Sequence, residues 1–294
     1  MRSLTGIVVP LVSPIAADGG VDLESVAGNA DRVLAAGTQG LYLCGGTGDA
    51  AELSPLERRQ VVEAAMPVAR AHGAATIVHV GLAPLRDALA LAEHALAAGA
   101  DAVASVPLRG DWDQTVRYYR ELAALGGPVF VYHMPPAGFH ATFDQLSELL
   151  EVEGVAGAKV SDWNLFLLRR LVEGYPDRTF YTGLDENLGF GLLAGAHGSI
   201  GTWANLVPRF YARVWQAAVA GREAEVLTLH RQWQHFLGLG WSGDIIAAFE
   251  ALMADRGHAT ACFRVPAPAP VLEPARLDRL TAGLELIEAL GEER

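Results

Sequence analysis

The sequence predicts a (β/α)8 TIM-type barrel with a C-terminal helical extension. Short apolar runs alternate with longer amphipathic stretches rich in Ala and Leu through most of the 294 residues. One joint recurs three times, as Ala36-Gly37-Thr38-Gln39-Gly40, Ala98-Gly99-Ala100-Asp101-Ala102 and Ala194-Gly195-Ala196-His197-Gly198. Each puts a glycine just past a helix end, where a left-handed residue closes the last turn, and then begins an apolar strand. Eight strand–helix repeats without a long linker favour a closed barrel over an open doubly wound sheet. The strand signal stops near residue 221, so residues 1–220 read as a catalytic barrel and 221–294 as a three-helix extension.

The first strand is expected at 6–12, and the first helix at 23–36 behind an Asp22 cap. A second strand at 40–44 precedes a helix at 55–70, capped by Ser54 with Glu57 three residues on. Strands follow at 75–80, 102–106, 129–132, 155–159, 178–182 and 198–201. Helices at 84–98, 112–125, 143–150, 165–172, 188–193 and 208–220 lie between and after them. Trp112, Tyr118 and Tyr119 read as helix packing rather than a base-stacking platform. In the extension, helices at 223–237, 245–253 and 274–290 are separated by Gly238-Leu239-Gly240 and by a Pro- and Ala-rich stretch at 265–274.

Composition removes several function classes. At 51% hydrophobic and 19% charged, the chain is built to fold rather than to stay disordered. A formal charge of −12 without a basic patch argues against nucleic acid and anionic membranes as partners. No stretch approaches the ~20 apolar residues that span a bilayer. The apolar start at Ile7-Val8-Val9 meets Pro10 and Pro14 too soon for a signal sequence. Cys44 and Cys262 make no disulfide framework, which points to a reducing, cytoplasmic setting. The nine histidines show no metal-ligand spacing, and there is no Gly-x-Ser-x-Gly nucleophile elbow, so no metal site is expected.

The basic residues carry the sharper signal: 21 are Arg and one, Lys159, is Lys. Either residue serves as a surface cation, but an amine that must shed its proton and attack a carbonyl cannot be Arg. Lys159 ends the sixth predicted strand after Val155-Ala156-Gly157-Ala158, at the barrel end where reactive groups gather. Small neighbours leave it room, and apolar surroundings favour the neutral amine, a nucleophile suited to Schiff-base chemistry. Tyr132 ends the neighbouring fifth strand and supplies a phenol able to carry protons. His133 points to the other strand face and reads as structural.

The second strand empties into Gly45-Gly46-Thr47-Gly48-Asp49, where closely spaced amides and the Thr47 hydroxyl suit a small carboxylate. A plain tight turn is the alternative. The loop lacks the Gly-Lys-Ser/Thr of a phosphate-binding P-loop. It fits the dinucleotide pattern only loosely, because no acidic residue follows the next strand to hold a ribose. Strand seven ends in Gly183-Leu184-Asp185-Glu186 and strand eight in Gly198-Ser199-Ile200-Gly201-Thr202. Asp185 and Glu186 suit the hydroxyls of a polyol, with Thr202 assisting; the alternative for Asp185 is to cap the next helix.

In order and spacing, these pieces resemble the dihydrodipicolinate synthase / N-acetylneuraminate lyase family of Schiff-base-forming barrels. The matching residues are Gly45 to Asp49, Leu53-Ser54-x-x-Glu57-Arg58, Tyr132-x-x-Pro135, Gly154-Val155-Ala156-Gly157-x-Lys159, and Gly183 through Gly201. The resemblance implies that Lys159 attacks the ketone of pyruvate, or of a 2-oxo acid that yields it, while Tyr132 shuttles protons. It also implies that Gly46, Thr47, Gly48 and Ile200 surround the 2-oxo acid, and that Gly183, Asp185, Glu186 and Thr202 meet a sugar acid. No metal or organic cofactor is implied, and the assembly implied is a homotetramer.

Departures from the family pattern select the branch. The synthase branch carries an Arg where this chain has Ala137, and a tyrosine where Leu108 and Arg109 follow Pro107. Both point away from dihydrodipicolinate synthesis and toward the lyase branch. The family's Ser or Thr before Thr47 is Gly46 here, which leaves its proton relay to water. A Gly-Gly-Thr-Gly loop also resembles that of sugar-acid dehydratases in the family. The expectation is therefore an N-acetylneuraminate lyase-like aldolase. Its alternatives are a Schiff-base dehydratase, a synthase-type condensation, and a non-catalytic 2-oxo-acid-binding barrel.

Overall fold

Inward- and outward-facing strand residues build two separate cores. The computed structural model describes residues 2–241, 245–258 and 272–292. Its strands β1 (Gly6–Pro10), β2 (Gly40–Leu43), β3 (Ala75–His79), β4 (Ala102–Ser105), β5 (Val129–His133), β6 (Val155–Val160), β7 (Thr179–Thr182) and β8 (Gly198–Ser199) pair in chain order and close on themselves. All pairs are parallel. The barrel interior holds Val8, Tyr42, Ile77, Phe130, Tyr181 and Ile200, while alternate residues pack outward under the helices.

Those helices are α1 (Leu23–Ala35), α2 (Pro55–Ala71), α3 (Leu85–Ala97), α4 (Trp112–Ala123), α5 (Phe143–Leu150), α6 (Leu165–Gly174), α7 (Leu188–Leu193) and α8 (Pro208–Val219). The extension supplies α9 (Glu223–Trp241), α10 (Ile245–Asp255) and α11 (Pro274–Glu292). The Asp22 cap and the Ser54–Glu57 capping box form as read. Gly37, Gly99 and Gly195 take φ of +94°, +93° and +98°, the left-handed turn the three joints require. Tyr118 and Tyr119 are buried, and the Trp112 indole donates to Glu148, so this group packs helices.

Three boundaries differ from expectation for physical reasons. β1 stops at Pro10, although the Leu11 amide still donates to the Tyr42 carbonyl. β8 is two residues long because the chain turns at once into a short 3-10 segment at Thr202–Asn205. The expected break at Gly238-Leu239-Gly240 is absent, and α9 runs through it to Trp241. Helix-interior glycines cost about 1 kcal/mol each. Burial of Trp233, Phe236 and Leu237 within the main core outweighs that, and Gly240 lets the Leu280 and Ala248 side chains come close.

Cys44 is buried with a free thiol. Cys262 and most of the 265–274 stretch lie outside the described residues. No helix among the described residues is long and apolar enough to cross a membrane.

One irregularity positions the site. Val129 pairs with Val155, but Phe130 pairs with Gly157, so Ala156 is an extra residue in β6. From there Tyr132 lies opposite Lys159, and Lys159 opposite Tyr181. A side chain on Gly157 would collide with the Thr179 backbone, which explains a glycine at the bulge.

Candidate active site

Lys159 and Tyr132 project into the barrel at its C-terminal end, each only 4% exposed. The Lys159 Nζ lies 4.2 Å from the centroid of the Tyr132 ring and 4.8 Å from that of Tyr42. No carboxylate pairs with it among the described residues; its close partners are ring faces. Tyr42 meets Tyr132 edge-to-face at 6.1 Å, and His79 meets Tyr132 likewise at 5.8 Å. Burial, reinforced by the nearby Arg58 cation, holds the His79 imidazole well below its usual pKa. Its Nδ1 donates to the Cys44 carbonyl at 3.0 Å, while Arg58 donates to the carbonyls of His79 and Gly81. These contacts make a stiff aromatic floor around the amine.

Neither Tyr42 nor His79 was singled out from the sequence. Both occupy inward strand positions, one before and level with the strand ends, so alternation along the expected strands was the signal available.

The loop after β2 starts from strain. Cys44 and Asp49 both take φ of 54°, a conformation rare outside glycine. The amides of Gly48, Asp49 and Ala50 bond back to Gly45 and Gly46 carbonyls. The amides of Gly46 and Thr47 make no bond among the described residues, leaving two adjacent donors beside the Thr47 hydroxyl. A Cβ on Gly46 would meet nothing within 4 Å. The Thr47 hydroxyl bonds that of Thr202 at 2.7 Å, joining the β2 and β8 loops.

These groups line a cavity of about 300 Å³ together with Gly183, Asp185, Glu186 and Ser161. Gly183 has no room for a side chain, since one would strike Ser161 Oγ and lie 3.0 Å from Lys159 Cε. The Ser161 hydroxyl, missed in the sequence, is buried without a partner among the described residues. Leu237 of α9 with Ile246 and Phe249 of α10 form an apolar wall, so the extension helps enclose the site.

Two expected contacts fall elsewhere. Gly48 packs near the Leu11 carbonyl and Ser13, and Ile200 belongs to the barrel core; neither lines the cavity. The Gly48 amide is spent closing the turn on Gly45, and Ile200 faces inward but packs in the barrel core, its amide donating to the Thr182 carbonyl. Asp185 caps not the helix after it but the Thr202–Asn205 segment, through the amides of Thr202 and Trp203. Burial raises its pKa to about 6, with Glu186 adding and a Tyr211 hydrogen bond opposing. Glu186 is also raised by burial, and its carboxylate accepts no bond from another described residue. His133 is on the outer face, its Nδ1 accepting from Ala141 and its Nε2 facing Asp162 at 3.1 Å. Among the described residues no three His, Cys, Asp or Glu side chains converge as a metal site.

A family model, the dihydrodipicolinate synthetase family, matches residues 3–273. The chain belongs to that family. It is similar to the N-acetylneuraminate lyase of Rhizobium meliloti (strain 1021), 31% identical over 230 residues, which are 77% of each chain. It is also similar to an uncharacterized DapA-like lyase of Halobacterium salinarum, 34% identical over 221 residues, 73% of this chain and 72% of that one. A putative dihydrodipicolinate synthetase from Pseudomonas aeruginosa superposes with a TM-score of 0.88 at 25% identity, over 97% of this chain and 100% of the other. The N-acetylneuraminate lyase from Fusobacterium nucleatum complexed with pyruvate shares the fold, with a TM-score of 0.84 at 21% identity over 99% and 98% of the two chains. The protein is an enzyme, a lyase of the aldolase type.

Proposed function

We propose that this enzyme is a Schiff-base aldolase that releases pyruvate from a hydroxylated 2-oxo sugar acid, or runs the reverse condensation. The observation that carries this reading is the Lys159 amine, enclosed, without an ion-pair partner among the described residues, and 4.2 Å from the centroid of the Tyr132 ring. Lys159 attacks the C2 ketone, water leaves, and the resulting iminium withdraws electrons as the C3–C4 bond breaks. Tyr132 carries the C4 hydroxyl proton away and returns a proton to C3 of the enamine. Hydrolysis frees pyruvate and regenerates the amine, so the water lost at the start is recovered. The Gly46 and Thr47 amides with the Thr47 hydroxyl hold the carboxylate. Glu186, whose carboxylate accepts no bond from another described residue, is the ligand for hydroxyls further along the chain. No organic cofactor or metal is required by these steps.

The names of relatives at 31% identity support the lyase branch. A cavity of about 300 Å³ suits a sugar acid of small size. Exposed Trp163 and Phe166, at 56% and 71%, suit a subunit contact, in keeping with a cytoplasmic homotetramer. The second reading is dehydration through the same iminium; it is favoured by the Gly45-Gly46-Thr47-Gly48 loop, which resembles that of sugar-acid dehydratases.

Borohydride added with pyruvate is expected to label Lys159, and a panel of 2-keto-3-deoxy sugar acids to yield pyruvate. Loss of water without pyruvate would favour the dehydratase. A labelled lysine with no turnover on any acid would leave only a binding barrel.

A further inference from the structure

The rim carboxylates differ in how much of their bonding capacity is taken. A carboxylate has about four acceptor sites. Asp185 Oδ2 accepts from the Thr202 amide at 3.0 Å, and Oδ1 accepts from the Trp203 amide at 3.2 Å and from the Tyr211 hydroxyl. Any side chain on Gly201 would strike Oδ1, so the β8 loop is shaped to lie against this carboxylate. From the other side, the Trp233 indole of α9 donates to the Asp185 carbonyl at 2.8 Å and clamps the β7 loop. Thr202, whose amide Asp185 holds, is also the residue whose hydroxyl meets that of Thr47. A continuous line of bonds thus runs from α8 and α9 through Asp185 and Thr202 to the loop with two unengaged amides.

We infer that Asp185 is a positioning residue rather than a polyol ligand: it fixes Thr202 against Thr47 and so shapes the cradle for the substrate carboxylate. This inference rests on the reading of the Thr47 loop as that cradle. Two consequences separate it from direct contact with the sugar chain. Removing a polyol ligand raises KM for the long substrate and leaves pyruvate untouched. Removing the positioning residue weakens pyruvate itself.

The test compares wild type with Asp185→Asn, Tyr211→Phe and Thr202→Val. Borohydride trapping at Lys159 gives the half-saturating pyruvate concentration, and hydrogen exchange gives the opening of residues 198–206. Asp185→Asn is expected to raise half-saturation by about tenfold, the loss of roughly one charge-assisted hydrogen bond, and Thr202→Val by a few-fold, the loss of its neutral hydroxyl bond to Thr47. Their combination is expected to add little, because both cut the same line. Tyr211→Phe, which keeps both amide bonds, is expected to have the smaller effect, and exchange at 198–206 to quicken in Asp185→Asn. Unchanged pyruvate half-saturation in Asp185→Asn, with a raised KM for the sugar acid alone, would overturn the inference. So would unchanged exchange at 198–206. If wild type is not trapped by pyruvate at all, the imine reading fails, while the exchange result still decides whether Asp185 holds the loop.

Discussion

The floor of the cavity and its rim are built by different means. On the floor, Lys159, Tyr132, Tyr42 and His79 stand on four strands, and their placement follows from sheet register and ring packing. On the rim, Asp185, Glu186 and Thr202 sit in short 3-10 segments tied together by hydrogen bonds and backed by α9 and α10. The floor presents groups whose chemistry is unspent; the rim mixes one committed carboxylate with one open one. The lesson is that strand register places the floor's reactive groups, whereas hydrogen bonds between loops place the rim's polar ones.

The strongest break of this contrast is at the floor. Lys159→Arg is expected to lower turnover by about 10³-fold or more, because no neutral nucleophile remains. Circular dichroism should show an intact fold. Tyr42→Leu removes one of two ring faces beside Lys159 and is expected to lower kcat about tenfold, because that face would stabilise the cationic iminium by ~1–2 kcal/mol. Tyr42→Phe is its control: the Tyr42 hydroxyl is buried without a partner among the described residues, so its removal is expected to leave kcat nearly unchanged and the melting temperature equal or higher.

Rim variants are expected to act on substrate choice. Glu186→Gln should raise KM for a polyhydroxylated acid a few-fold, about one hydrogen bond, and leave pyruvate trapping unchanged. Equal effects on both would erase the distinction between the two rim carboxylates. Asp185 offers a measure by pH. Its folded pKa of about 6 lies above that of an ordinary carboxyl, so the native state takes up a proton before the unfolded chain does. Stability from this group therefore rises as pH falls from about 7 to 4 and is lost as pH climbs through 6. Denaturant midpoints at both pH values should show this gain in wild type relative to Asp185→Asn. The smallest effect is expected from Gly46→Ser, which enters open space: kcat should rise a few-fold if a hydroxyl relays protons better than water there.

The barrel was legible because its signals are local: capping pairs, glycine joints and strand alternation all recur in register with the fold. Lys159 was legible because it has no competitor of its own kind, and Tyr132 because it ends the adjacent strand. Asp185 was harder. Its partners Thr202, Trp203 and Tyr211 lie 17 to 26 residues away, and nothing in Gly183-Leu184-Asp185-Glu186 tells which carboxylate turns to the backbone. Ile200 and Gly48 entered the expected site through the resemblance, whereas in the structure Ile200 packs in the barrel core and the Gly48 amide is spent on a turn. The glycines in α9 misled because tertiary burial, invisible in a local window, overrode helix propensity.

The extra residue at Ala156 decides more than local pairing. In a parallel sheet, directly paired residues face the same side, so a slip of one inverts inside and outside. Paired regularly from Val155 with no bulge, the same residues would keep the Gly157-x-Lys159 signature readable yet swing the amine out among the helices, where no substrate reaches. Whether this protein is a catalyst thus turns on a count, odd or even, and not only on the presence of the right amino acids.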